Sequence, residues 1–250
     1  MEKPNLFRLD VVWADIVEIT HFIPVTLELT FFSMIIGLVL GFIIAVVRMK
    51  KIPVIQQITT VFISIIRGTP IIVQLYVIYF GIPIGIQYYN YYHGTEINTK
   101  GMAAVLYAII ALGINTSALC AVTIQSALEA VNKGEIEAAR TLGMTGAQVI
   151  KRIIVPEAIE LALPSLGNTL IGLIKGTSLA FTCAVIEMTA QSKIIGARSF
   201  RNFEAYVAVG LLYWLITICL EQIIALIIRL VQVPESPKSV ICKKTEVAGA

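Results

Sequence analysis

Gly134-Glu135-Ile136-Glu137-Ala138-Ala139-Arg140-Thr141-Leu142-Gly143, continuing through Met144 to Pro156, is the most polar connected segment between two long apolar runs. Glu135 and Glu137 fall in the first turn of a predicted helix, where carboxylates complement the positive end of the helix dipole. Ala138, Ala139, Arg140 and Leu142 are good helix formers, and Gly143 can take the left-handed conformation that ends the helix. Thr145-Gly146-Ala147-Gln148 reads as a capping box opening a second short helix, which Pro156 is expected to close. Two short helices between two membrane spans are either an ordinary solvated helix–turn–helix loop or a docking element.

The composition places the rest of the chain in a bilayer. Of 250 residues, 57% are hydrophobic and 14% charged, with a mean hydropathy of +0.85, whereas a soluble domain carries about a quarter charged residues. Net charge is only +3, without a basic tract, so no nucleic-acid partner is expected. Cys120, Cys183, Cys219 and Cys242 form no C-x-x-C pair and read as small packing residues. His21 and His93 are too isolated for a metal cluster, so neither a metal nor a bound cofactor is expected.

Residues 1–20 form an amphipathic segment, with Leu6, Leu9, Trp13, Ile16 and Val17 on one face of a helix lying on the membrane surface. Five spans are expected at about 22–47, 55–83, 102–131, 166–189 and 205–230, within a membrane domain over 21–230, and a polar cytoplasmic tail at 231–250. In the first span Thr26, Thr30, Ser33, Gly37 and Gly41 share a small, packable face. Glu28 in the same span is either a functional carboxylate or a solvated group near the outer interface. Gly68-Thr69-Pro70 interrupts the second span, and broken membrane helices line cavities. Arg67 beside the break either reaches toward the cytoplasm or bonds the freed carbonyls.

Residues 84–100, with Tyr88, Tyr89, Tyr91 and Tyr92, are expected to be an outer loop, as are residues 190–203. Thr116, Cys120, Thr123 and Ala127 form a small or polar face on the third span. In the fourth, Asn168, Lys175, Ser178 and Thr182 lie close to one stripe. Gly167 and Gly172 have phosphate-loop spacing, but Leu173-Ile174 stand where Lys-Ser/Thr is required, so the chain carries no nucleotide motif. With the polar hairpin inside, eleven Lys and Arg flank the inner ends of the spans and six the outer ends, in line with the positive-inside rule.

Glu137-Ala138-Ala139, then Gly143, then Ile154-Val155-Pro156 resembles the EAA loop of ABC-importer permeases. Arg67-Gly68-Thr69-Pro70, Val73-Gln74-Leu75 and Tyr79-Phe80-Gly81-Ile82-Pro83 resemble a block of the polar amino acid branch, as do Leu163-Pro164 with Asn168, and Lys175 with Thr177-Ser178-Leu179. The resemblance covers roughly residues 26–229. It implies an all-α integral membrane protein of the MetI-like (type I importer) fold, with about five spans and a cytoplasmic coupling helix. Glu135, Glu137, Ala138, Ala139, Arg140, Gly143 and Pro156 then belong to coupling with an ATPase. Arg67, Thr69, Gln74, Thr116, Asn168, Lys175, Thr177, Ser178 and Thr182 are candidates for the solute pathway.

The implied partners are two copies of a cytoplasmic ATP-binding cassette subunit, which binds the ATP and Mg. A second permease chain, identical or related, an extracytoplasmic amino-acid-binding protein and the lipid bilayer complete the set, in a bacterial cell membrane. The chain itself is then a transport permease and not an enzyme. One departure bears on the solute: where the family often shows Tyr-x-x-Glu-x-x-Arg, this chain has Leu119, Val122 and Gln125. That suits a neutral or zwitterionic solute, such as a sulfur-containing amino acid or cystine, unless a partner chain supplies the recognising residues. The alternatives are an importer of another small polar solute and a stand-alone secondary transporter, which calls for inverted repeats and paired membrane acids.

Overall fold

The structure, a computed structural model, describes residues 7–50, 52–98 and 103–231. Leu6, Lys51, Lys100 and the tail bearing Lys238, Cys242, Lys243 and Lys244 lie outside the described residues. Those described are almost wholly helical, without a strand. Four helices are long and apolar enough to cross a membrane: α2 (Ile23–Met49), α4 (Ile71–His93), α5 (Ala104–Ala130) and α10 (Asn202–Val231). A fifth crossing is a bent pair, Gly146–Cys183 with Met188–Ser199, turned by 55°.

The centre of the fold is the pairing of α2 with α5. Ser33 donates to the Ile109 carbonyl at 3.3 Å, and Gly37 and Gly41 face Thr116 and Cys120, so the two helices run parallel. The small residues recognised in the sequence set this approach. A Cβ on Gly41 would stand 2.6 Å from the Cys120 Cβ and 3.0 Å from the Ala121 backbone nitrogen. Leu29, Leu75, Ala108, Leu112, Leu173 and Cys183 fill the adjoining core.

The second predicted span divides at Thr69-Pro70 into α3 (Pro53–Gly68) and α4. The Gln74 side chain, only 9% exposed, donates from Nε2 to the Ile66 carbonyl at 2.7 Å and to the Thr69 carbonyl and hydroxyl at 3.1 and 2.8 Å. The carbonyls freed by the proline are therefore bonded by Gln74, while Arg67 is exposed. Membrane backbone must be satisfied inside the protein, and a buried amide one turn past the break does this locally.

Three expectations are corrected. Residues 84–93 are helix, not loop: α4 runs through Pro83 to Gly94, whose left-handed φ of 62° ends it. The tyrosines remain exposed on this extension. Residues 190–199 are also helical, within α9 (Met188–Ser199), whose Met188, Ile195 and Gly196 are buried. The signal for α9 is Glu187, whose carboxylate caps the helix by accepting the N–H groups of Thr189 and Ala190 at 2.8 Å. Its Oε2 also accepts from the Tyr213 hydroxyl of α10 at 2.9 Å. Finally, α1 (Leu9–Thr20) packs through Val12, Asp15 and Ile19, leaving Leu9, Trp13 and Val17 exposed. Of the predicted stripe, Leu9, Trp13 and Val17 are exposed while Ile16 packs against the core, and the sequence masked the packing face because it carries Asp15. Burial, and the nearby Glu18 carboxylate, push the Asp15 carboxyl above the usual range. Glu18 itself ties α1 to α9 through Arg198 at 2.6 Å and Gln191 at 2.8 Å.

Two variants test these packing claims by thermal unfolding in detergent. Gly41→Val forces α2 off α5 and is expected to cost about 1–3 kcal/mol, seen as a lower Tm; an unchanged Tm contradicts the close approach. Gln74→Leu keeps the volume but orphans two carbonyls, costing about 1–3 kcal/mol for each group left buried without a partner. A wild-type Tm in this variant contradicts the role given to Gln74.

Candidate functional site: a polar cleft and an inner hairpin

The hairpin forms as the sequence predicts up to its second helix. Asn132 caps α6 (Lys133–Thr141), its Oδ1 accepting the Gly134 N–H at 2.9 Å. Gly143 closes α6 at φ 81°, with its own N–H on the Arg140 carbonyl at 3.0 Å and the Met144 N–H on the Ala139 carbonyl at 3.1 Å. This pair of bonds is a Schellman motif, which needs a residue free to adopt positive φ. The capping box then forms in both directions: Thr145 N–H to Gln148 Oε1 at 2.8 Å, and Gln148 N–H to Thr145 Oγ1 at 3.4 Å.

Pro156 does not end the second helix. Helix α7 (Gly146–Val149) passes through a π-helical turn at Ile150–Ile154 into α8 (Val155–Gly176). The Val155 N–H reaches back five residues to the Ile150 carbonyl. A wider turn gives the proline ring room against the preceding carbonyls, where an α-helix would clash. The hairpin's second arm and the fourth span are therefore one continuous helix.

Ala139 and Val149 are buried between the two arms. Glu135, Glu137, Ala138, Arg140 and Gly143 are exposed. Leu142, at the tip, is 84% exposed. Sequence reading credited Leu142 only as a helix former. Its signal was its place next to Gly143, at the outermost point of the turn.

At the other end of α8, a cleft of about 400 Å³ opens between α4, α5 and α8. Ile71, Asn115, Thr116, Leu119, Asn168, Thr169, Gly172, Leu173 and Gly176 line it. The polar groups are amides and hydroxyls, and none of these lining side chains is charged. Of the pathway candidates, Thr116 and Asn168 meet here. Gln74 stands behind the wall, accepting from Asn115 Nδ2 at 3.0 Å. Thr69 is exposed and takes part in the Gln74 cluster, and Arg67 and Lys175 are exposed outside the lining. Thr177 is fully buried, its hydroxyl donating to the Ile174 carbonyl at 2.7 Å. Ser178 and Thr182 are half-buried in the 3₁₀ segment Thr177–Cys183.

Asn115 was missed as a cleft residue because the sequence shows it only as part of an Asn-Thr-Ser pattern inside an apolar run. Of the three positions that replace charged or aromatic family residues, Leu119 lines the cleft. Val122 packs against a small cluster with Ile63 and Ala118, and Gln125 donates to Glu129 at 2.8 Å. Glu28 is exposed on α2. Among the described residues no group of His, Cys, Asp and Glu is placed to hold a metal.

Residues 37–233 match the family described as binding-protein-dependent transport system inner membrane component. The probable amino-acid permease protein YxeN of Bacillus subtilis (strain 168) is 41% identical over 196 residues, 78% of this chain and 83% of that protein. The L-cystine transport system permease protein TcyL of the same organism is 33% identical over 226 residues, 88% of this chain and 89% of that protein. A solved structure described as an amino acid ABC transporter with histidines superposes with a TM-score of 0.69 at 33% identity, covering 85% of this chain and 97% of that one. The inward-facing MetNI methionine ABC transporter shares the fold, with a TM-score of 0.61 at 21% identity. The chain therefore belongs to the family of binding-protein-dependent inner membrane transport components, as a multi-pass ABC-importer permease.

Proposed function

We propose that this chain is the translocation subunit of an ATP-driven importer of amino acids. The observation that carries the reading is the unbroken helical path from the exposed hairpin, through α7 and the π-helical turn, along α8 to the wall of the polar cleft. A hairpin with a leucine at its tip and charged flanks suits a groove on a cytoplasmic ATP-binding subunit, and Glu135, Glu137, Ala138 and Arg140 face outward to meet it. Ala139 and Gly143 keep the lever's shape. The chain carries no nucleotide motif, so ATP and Mg belong to that partner, present in two copies.

The cleft is open on one side, consistent with completion by a second permease chain. Its uncharged amides and hydroxyls favour a solute that is neutral overall and rich in hydrogen-bonding groups, which a zwitterionic amino acid such as cystine satisfies. Relatives named as amino-acid and L-cystine permeases support that class. An extracytoplasmic binding protein delivers the solute on the side of α1 and α9. The exposed stripe of Leu9, Trp13 and Val17 rests α1 on the outer face of a bacterial inner membrane.

The test is reconstitution of the chain with its ATP-binding partner subunit, followed by uptake assays with the cognate binding protein and a panel of amino acids. ATP-dependent uptake of a neutral amino acid is expected. Leu142→Asp removes an apolar anchor and places a charge in the docking groove, and is expected to weaken subunit association by about 2 kcal/mol, roughly thirtyfold. Uptake by the purified chain alone without ATP, or unchanged association in the variant, overturns the reading.

A further inference from the structure

We propose that Glu157 is a positioning residue that locks the joint between the membrane spans and the hairpin; the inference rests on the permease reading for its consequence in transport, though not for its geometry. Helix α5 ends at Ala130, and α6 begins at Lys133. The two residues between them are extended, Val131 at ψ 134° and Asn132 at ψ 114°. Such a link is extended on both residues, and its tie to α6 along the backbone is the Ile136 N–H on the Asn132 carbonyl at 3.4 Å, so it is where a lever would bend.

Asn132 is held from both sides. Its side chain caps α6, and its backbone N–H donates to Glu157 Oε1 at 3.1 Å. Glu157 lies 25 residues further on, in the first turn of α8, immediately after Pro156 and the π-helical turn. One carboxylate therefore ties the end of α5, the start of α6 and the start of α8 together. Its second oxygen, Oε2, is buried without a partner. With the joint locked, a push on the α6 arm reaches both α5 and α8, and so both walls of the cleft. Without it, α6 swings about Val131-Asn132 and the push is lost.

The contact needs an acceptor at Oε1 and not a charge, so Glu157→Gln retains it and Glu157→Ala does not. Spin labels at Thr141→Cys and Ser165→Cys, both exposed positions, report the hairpin's place relative to α8 in lipid nanodiscs, with Cys219 and Cys242 replaced by Ser. The intact chain and Glu157→Gln are expected to give one narrow distance. In Glu157→Ala the ratio of locked to unlocked hairpin falls about fivefold, the loss of one ordinary hydrogen bond, with matching broadening. A narrow distance in Glu157→Ala overturns the proposal, and so does broadening in Glu157→Gln. In vesicles with the ATP-binding subunit, uptake per ATP hydrolysed falls in Glu157→Ala and is restored in Glu157→Gln. If the wild-type assembly hydrolyses no ATP, the permease reading fails while the label distances still decide the joint.

Discussion

Hydrocarbon offers no hydrogen bonds, and the breaks at Thr69-Pro70 and before α9 answer to that constraint. Two spans are broken, and at each break one buried side chain supplies what water would have supplied. At Thr69-Pro70 it is the Gln74 amide, which donates to the carbonyls of Ile66 and Thr69. At the bend before α9 it is Glu187, which accepts two backbone N–H groups and the Tyr213 hydroxyl. A third irregularity, the π-helical turn ahead of Pro156, needs no such helper because the wider turn carries the helix past the proline. Gln74 also accepts from Asn115, so the break at Thr69-Pro70 is fastened to the wall of the cleft. Polar groups are thus placed where the backbone departs from the helix, and the cleft lies beside one such place.

Transmission follows from the continuity of α7 with α8. A rigid helix carries displacement along its length, and here it begins at an exposed hairpin and ends beside Asn168 and Thr169 in the cleft. The hairpin holds its shape through the buried pair Ala139 and Val149, the Schellman bonds at Gly143 and the capping box at Thr145. Parallel packing of α2 on α5, with no side chain at Gly37 or Gly41, gives the moving parts a stiff frame.

The spans, the hairpin caps and the family resemblance were legible in the sequence because they rest on local signals: apolar run length, Gly143 after a helix former, Thr145 three residues ahead of Gln148. Pro156 misled because proline ordinarily breaks an α-helix, and sequence gives no cue for a π-helical turn. The tyrosine-rich stretch at 84–93 read as a loop from its composition, yet it continues α4 as an exposed extension, and the polar α9 read as a loop because its cap, Glu187, also looks like one more residue of a span. The cleft was legible in part. Thr116 and Asn168 announced themselves as polar groups in apolar runs, whereas Asn115 was hidden in an Asn-Thr-Ser pattern. Thr177 looked equally exposed to solute and is buried against its own helix. Helical spacing indicates a shared stripe; which stripe meets a cavity depends on neighbours far away in the chain.

The central claim is that the inner hairpin and α8 move as one body. Electron-spin distances between Thr141→Cys and Ser165→Cys, measured in the assembled transporter with and without a non-hydrolysable ATP analogue, test it most directly. The account predicts that this distance within one chain stays constant, while the distance from Thr141 to the corresponding position of the proposed second permease chain shortens on nucleotide binding. A nucleotide-dependent change within the single chain, with the spacing between chains fixed, would contradict it.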